Sequence, residues 1–364
     1  MTQYETKLRV GIIGATGYVG QRFILLLADH PQFQVTLLAA SARSAGKPYA
    51  DVMKDRWKME SAIPEGIGEM VVRDADKIEA YADDIDFVFC AVDMEKQALI
   101  ALEERIARLE IPVVSNNSAN RMTPDVPMIM PEVNPDHSAI IASQKKRLGT
   151  TRGFIAVKPN CSIQSYVPAL APLTRFKPTD VIVATYQAVS GAGKLLTEWP
   201  EMSRNVIPFI GGEDAKSENE PLKIWGRVQG DKIVSAEAPC ISAQCYRVPV
   251  QEGHLAAVSV KFAEPVSREE ILAAWAEYKP LPQQLGLPSA PQPFLTYMED
   301  DDRPQPRLDA DSAGGMGISL GRLRPDPVLD WKFVGLSHNT VRGAAGGAVL
   351  MAELLVSQGY IEKK

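Results

Sequence analysis

An apolar run, Leu8-Arg-Val-Gly-Ile-Ile13, passes directly into Gly14-Ala-Thr-Gly17-Tyr-Val-Gly20 and then into a helical pattern. This junction constrains the fold more than any other part of the chain. A short apolar run ended by glycine reads as a strand buried in a parallel sheet. Over residues 18–28, Val19, Phe23, Leu26 and Leu27 recur on one side, as in a helix laid on that sheet. The alternation continues, with strands expected over 35–40, 87–92 and 111–115 and a helix over 94–109. Strands alternating with helices predict a doubly wound parallel sheet with right-handed crossovers.

The pattern changes after Cys161. Long strand-like runs over 181–189, 256–262 and 330–336 suit an α+β unit with a largely antiparallel sheet. At 364 residues the chain is long for one core and comfortable for two. The expected division is an α/β dinucleotide-binding domain over 1–158 and 339–364, and a catalytic and dimerisation domain over 159–338. The proline-rich stretch 279–307 reads as a surface excursion. From Asn339 a last helix is expected, capped by Asn339 or Thr340. Its Gly343, Ala344, Gly346 and Gly347 favour close packing over helix propensity, against the first domain and a nicotinamide.

Glycines at 14, 17 and 20 stand where a strand ends and a helix begins, so backbone can approach a pyrophosphate there. Gly14, Thr16, Gly17, Tyr18, Val19 and Gly20 are the candidate cofactor contacts, although Ala15 departs from the common Gly-x-Gly-x-x-Gly form. The end of the second strand reads Ala40-Ser41-Ala-Arg43-Ser44, without the acid that an NAD site places on the ribose. Ser41, Arg43 and Ser44 instead suit the 2′-phosphate of NADP(H).

A net charge of −6 gives no electrostatic case for nucleic acid or an anionic membrane, and no apolar run is long enough to span one. The segment Met1-Thr-Gln-Tyr-Glu-Thr-Lys lacks the apolar stretch of a signal peptide. Cys90, Cys161, Cys240 and Cys245 form no paired or zinc spacing, so reduced thiols, a cytoplasmic location and no metal are expected. Cys90 lies in an apolar strand and reads as core; Cys240 and Cys245 lie near a strand. Cys161 follows Pro159-Asn160 and opens an apolar stretch over 163–173. It is placed on the first turn of a helix, which lowers a thiol's pKa and offers amides to an oxyanion. A thiol beyond a nucleotide fold, with Arg247 and His254 further on, suggests an aldehyde oxidised through a thioester.

The chain resembles the aspartate-β-semialdehyde dehydrogenase family, in its archaeal and fungal branch. The resemblance runs nearly end to end. It is carried by Gly14-Ala-Thr-Gly-Tyr-Val-Gly20, Ser115-Asn-Asn-Ser-Ala-Asn-Arg121, Pro131-Glu-Val-Asn-Pro135, Pro159-Asn-Cys-Ser162, Glu220-Pro-Leu-Lys223 and the segment from Arg247 to His254. It implies that Cys161 attacks the aldehyde and His254 accepts the protons of the thiol and the hemithioacetal. The thioester left by hydride transfer is then cleaved by phosphate to aspartyl phosphate. Biosynthesis of lysine, methionine, threonine and isoleucine runs the sequence backwards.

The resemblance assigns Arg247 to the substrate carboxylate, as a planar bidentate cation, and Glu220 to its ammonium. It assigns Arg121 and Lys223 to phosphate, Asn160 and Gln187 to substrate orientation, and Asn339 to the nicotinamide amide. Surface pairing competes for Arg121, Glu220 and Lys223, since the last two are three apart on a possible helix. His30, His137 and His338 read as surface or packing residues. A homodimer or homotetramer is implied. Malonyl-CoA reductase, of similar architecture, takes a substrate with a carboxylate and no ammonium, so an acid at the amine discriminates. A non-catalytic NADP-binding regulatory protein would lack the nucleophile or the base, and neither is missing.

Overall fold

The computed structural model describes residues 7–364; Met1 to Thr6 lie outside the described residues. The first sheet is built from β1 (Leu8–Ile13), β2 (Phe33–Ala40), β3 (Arg73–Asp74), β4 (Phe87–Cys90), β5 (Val113–Ser115) and β6 (Ile155–Val157). Its order is β3-β2-β1-β4-β5-β6, every neighbour parallel, so the chain winds outward from β1 in both directions. The helices Tyr18–Leu27 and Lys96–Arg108 supply two of the crossovers. Val10, Ile12, Phe87 and Phe89 are fully enclosed, because both faces of a parallel sheet are covered.

After β7 (Pro178–Gln187), a separate hairpin of β8 (Arg227–Gln229) and β9 (Lys232–Val234) precedes β10 (Cys240–Arg247). Then come β11 (His254–Phe262), β12 (Leu295–Met298), β13 (Ile318–Pro325) and β14 (Trp331–Ser337). The second sheet runs β10-β7-β11-β14-β13-β12. Its three inner pairings are antiparallel and its two edge pairings, β10 with β7 and β12 with β13, are parallel. One side carries the core, with Val181, Val183, Val258, Val260 and Phe333 buried. On the other side Ile182 and Tyr186 are exposed.

Three local expectations are corrected. The stretch after Cys161 is not one helix: a 3-10 turn Ser162–Ser165 is followed by short turns Val167–Leu170 and Ala171–Phe176. Pro168 and Pro172 interrupt any continuous run of backbone hydrogen bonds there. The proline-rich stretch is more than a surface excursion, since it supplies β12 and buries Leu287, Phe294 and Leu295. Asn339 and Thr340 cap nothing through their side chains; the final helix opens as a π-helical turn, Val341–Ala345, and continues as Gly346–Ser357. That helix shares one apolar cluster with β1, β4 and the helix Tyr18–Leu27.

Candidate active site

The carboxyl ends of β5 and β6 deliver two loops to one place. The residue after β6, Lys158, donates its amide to Ser115 O at 2.8 Å, which aligns the loops that carry Arg121 and Cys161. Arg121 is buried, its Nε donating to Lys158 O at 3.0 Å and its Nη2 to Asn116 O at 3.2 Å. Asn160 Oδ1 accepts from the Ser162 amide at 2.7 Å, closing the turn around Cys161.

The opposite wall comes from the second sheet. His254 is the first residue of β11 and is fully buried, with Nε2 3.5 Å from Cys161 Sγ. Its Nδ1 accepts from the Ala188 amide at 3.0 Å. The Ala188 amide fixes the ring with Nε2 toward the sulfur. Burial, with Arg247 next, holds the imidazole well below its ordinary pKa, so the ring facing the thiol is neutral. Arg247 donates through Nη1 to Ala188 O at 2.6 Å and pairs with no carboxylate among the described residues. A Cβ at Gly191 would fall 2.9 Å from Arg247 Nη1, so a larger residue there would displace the guanidinium.

The thiol itself differs from expectation. Cys161 is partly accessible and stands at the start of a four-residue turn, without the long helix that would lower its pKa. Burial, then Glu213, push it up, against the opposing effects of Lys158, Arg121 and Arg247. Cys90 and Cys245 are buried and Cys240 is exposed.

The Glu220-x-x-Lys223 motif is placed differently from its expected role. Glu220 Oε1 accepts from Arg121 Nη1 at 3.0 Å and Oε2 from the Asn160 amide at 2.6 Å. Lys223 Nζ donates to three carbonyls, Arg121, Thr123 and Val126, at 2.6, 2.8 and 2.9 Å. Both are buried and they do not pair with each other, so they brace the Arg121 loop. Two turns earlier on the same helix, Glu213–Ile224, Glu213 accepts from Asn160 Nδ2 at 3.0 Å and from Gln187 Nε2 at 3.3 Å. Lys216, partly exposed, pairs with it at 2.8 Å. Lys216, Arg121, Ser118, Lys96 and Glu220 line a cavity of about 430 Å³. Glu213 and Lys216 repeat the Glu-x-x-Lys spacing two turns upstream; that repetition was the sequence signal for them.

Toward the cofactor turn, Gly17 precedes the helix Tyr18–Leu27, with no side chain capping it and no acid in its first turn. A Cβ at Gly20 would lie 2.3 Å from Gly14 O, which keeps the turn tight, whereas one at Gly17 meets nothing nearer than 3.4 Å. These uncapped amides fit a pyrophosphate. Ser41 and Arg43 are exposed, Ser44 is buried, and Arg43 has no acidic partner among the described residues, which fits an added phosphate. Tyr18 and Arg22 reach across to Glu252 at 2.7 and 3.2 Å, and Glu252 also accepts from Ser190 at 2.7 Å. Asn339 spends its amide on Gly253 N at 2.8 Å and Ser190 Oγ at 2.7 Å. The final helix approaches the thiol loop: a Cβ on Gly343 would lie 2.8 Å from Cys161 Cβ. His30, His137 and His338 are buried packing residues. Among the described residues no cluster of potential metal ligands occurs, and no helix is long and apolar enough to cross a membrane.

A thiol and an imidazole facing each other beside a nucleotide-binding sheet, with an unpaired guanidinium alongside, define a cofactor-dependent aldehyde dehydrogenase working through cysteine. Residues 9–141 match the NAD-binding domain of semialdehyde dehydrogenases, and residues 170–342 match their dimerisation domain. The chain is 44% identical over 359 residues to an aspartate-semialdehyde dehydrogenase of Archaeoglobus fulgidus, covering 98% of this chain and 100% of that one. It is 41% identical over 368 residues to one from Saccharomyces cerevisiae, covering 98% and 99%. A crystal structure of the Candida albicans aspartate semialdehyde dehydrogenase with NADP superposes with a TM-score of 0.88 at 38% identity, covering 97% and 100%. The chain belongs to the semialdehyde dehydrogenase family.

Proposed function

We propose that this protein catalyses the reversible, NADP-dependent reductive dephosphorylation of L-aspartyl 4-phosphate to L-aspartate 4-semialdehyde, through a thioester on Cys161. Arg247 is the observation that carries this reading: a buried guanidinium beside the thiol, without a carboxylate of its own among the described residues. It binds the substrate carboxylate. Its buried cation is expensive to keep unpaired, so the substrate's anion compensates it.

An ammonium requires an acid beside the thiol, and Glu213, which acts on Cys161 and is held by Asn160 and Gln187, is the candidate. This role passes to Glu213 because Glu220 is committed to Arg121 and the Asn160 amide. The acid also favours an amino-acid substrate over malonyl-CoA. Arg121 and Lys216 receive phosphate, while Lys223 holds the Arg121 loop. NADP(H), when bound, supplies the hydride exchange. The turn 14–20 and residues Ser41, Arg43 and Ser44 hold it. Cys161 attacks the aldehyde carbon as its S–H proton passes to His254, which then hydrogen-bonds the developing oxyanion. Asn160 and Gln187 orient the acyl group, and Asn339 acts through Ser190 and the Gly253 amide on the loop before His254.

The nucleotide-binding body comprises residues 1–158 and 339–364, the catalytic body 159–338. Assembly as a homodimer or homotetramer uses the open face of the second sheet, where Ile182 and Tyr186 are exposed. The enzyme is placed in the cytoplasm. The test is the initial rate of NADP⁺ reduction by aspartate semialdehyde. Turnover is expected to require inorganic phosphate. Phosphate-independent turnover, or reduction of malonyl-CoA in its place, overturns the reading.

A further inference from the structure

One fully buried carboxylate lies outside the cleft. The helix Lys96–Arg108 turns Leu102, Ile106 and Ala107 into an apolar cluster with Val88, Val113 and Ile155 of the first sheet. Glu103 is buried on the same side of that helix, 0% exposed. An acid in such a place must be satisfied by hydrogen bonds or an ion pair. Its hydrogen bonds come from one loop. Oε1 accepts from Ser115 Oγ at 2.5 Å and from Asn117 Nδ2 at 2.9 Å, and Oε2 accepts from Asn120 Nδ2 at 2.7 Å. The Cys90 thiol adds a further contact. All these partners are neutral, and no cation pairs with Glu103 among the described residues.

The loop so held carries Arg121. Ser115 ends β5 and Asn120 is the residue before Arg121, so a single carboxylate fixes both ends of the intervening segment. Ser115 Oγ also accepts from the Asn117 amide at 3.0 Å, and Asn120 Oδ1 accepts from Thr123 Oγ1 at 3.0 Å, just beyond Arg121. The inner side of the loop is spent on Glu103. Its other side, through Ser118, Ala119, Arg121 and Met122, lines the cavity of about 430 Å³ that is read as the phosphate site.

We propose that Glu103 is a positioning residue for phosphate, holding Asn117 and Asn120 so that Arg121 presents its guanidinium to the anion. The inference rests on the phosphate-dependent reading of the cleft and deepens it. Being fully enclosed, Glu103 acts only through the loop. Arg121 has two acceptors on other segments, Lys158 O and Glu220. The third, Asn116 O, lies inside the segment that Glu103 holds. Releasing that segment shifts the third support while the other two stay, and the guanidinium turns. A misplacement of about 1 Å can cost up to about a hundredfold.

The test is the KM for inorganic phosphate in Glu103→Gln. Phosphate binding is also read directly, as the rise in unfolding temperature that phosphate gives the full-length protein without substrate. Glutamine keeps the volume but turns an N–H toward one of the donors. The KM for phosphate is expected to rise about tenfold, while kcat at saturating phosphate and the Kd for NADP stay within about threefold. The phosphate-induced rise in unfolding temperature shrinks in the same variant. Adding Asn120→Asp to Glu103→Gln exchanges donor and acceptor across the pair, and should bring the KM for phosphate back to within about threefold of the wild type. A merely structural role would not separate phosphate from NADP. An unchanged KM for phosphate in folded Glu103→Gln, or equal losses for phosphate and NADP, overturns the proposal. So does an exchanged pair that recovers the unfolding temperature without recovering phosphate binding. If Glu103→Gln fails to fold, Asn120→Ala cuts the arm next to Arg121 and should give the same phosphate-selective loss. A wild type without phosphate-dependent turnover would count against the substrate reading, and the phosphate-induced shift in unfolding temperature would still decide the role of Glu103.

Discussion

The two ends of the cleft are made of different material. At the cofactor end the recognition surface is largely backbone, a strand, a tight turn and an uncapped helix terminus contiguous from Leu8 to Leu27. At the thiol end it is side chain, brought together from the loops after β5 and β6, the helix Glu213–Ile224 and the start of β11. A backbone site tolerates any sequence that preserves the turn. A side-chain site depends on which atom each group has already spent elsewhere. Substitutions should therefore act in an all-or-none way on the nucleophile, selectively among its charged neighbours, and only modestly at the cofactor rim.

The largest effect is expected at Cys161. Cys161→Ser removes the one atom that forms the thioester and should lower kcat by at least about a thousandfold. NADP binding should remain, because the turn 14–20 is built from a separate segment. Loss of cofactor affinity in the same variant would mean that the two ends are not independent. Cofactor titration by fluorescence, alongside steady-state rates, separates the two.

The next effect distinguishes two acids two helical turns apart. Glu213→Gln should cost roughly ten- to a hundredfold in kcat/KM, the worth of a charged hydrogen bond to substrate. Glu220→Gln should mainly destabilise the fold, because it leaves the buried Arg121 without its anion, a loss on the order of 3 kcal/mol. Thermal unfolding and kinetics measured on both variants give opposite rankings if the assignment holds. Equal kinetic losses with unchanged stability would return the substrate ammonium to Glu220.

That pair also shows what a sequence can disclose. The first sheet follows from local pattern: β1, β2 and β4 and the helix Tyr18–Leu27 appear within a few residues of their expected positions, since burial on both faces enforces continuous apolar runs. The pairing of Cys161 with His254 was likewise within reach, through motif resemblance. The division of labour in the helix Glu213–Ile224 was not. Glu213-x-x-Lys216 and Glu220-x-x-Lys223 have the same spacing, and only the fold shows that Lys223 meets three carbonyls while Lys216 reaches the cavity. The orientation of the His254 ring was hidden for the same reason, because it is set by an amide 66 residues away. The helix expected behind Cys161 failed on chemistry that was visible: Pro168 and Pro172 were outweighed by apolar periodicity.

The smallest effect is expected at the cofactor rim. Arg43 is exposed and has no acid to release among the described residues, so its guanidinium can pair with a 2′-phosphate without first breaking a salt bridge to one of them. Exposure also limits the gain, since water and salt screen the pair. Arg43→Ala should raise the KM for NADP by about tenfold or less, with NAD nearly unaffected, because only NADP carries the extra phosphate. The difference should shrink further as ionic strength rises, which a loss of packing would not do. A variant that keeps the full preference for NADP at low salt would place the phosphate on Ser41 and the backbone of residues 41–44. The cofactor end would then be a backbone site throughout.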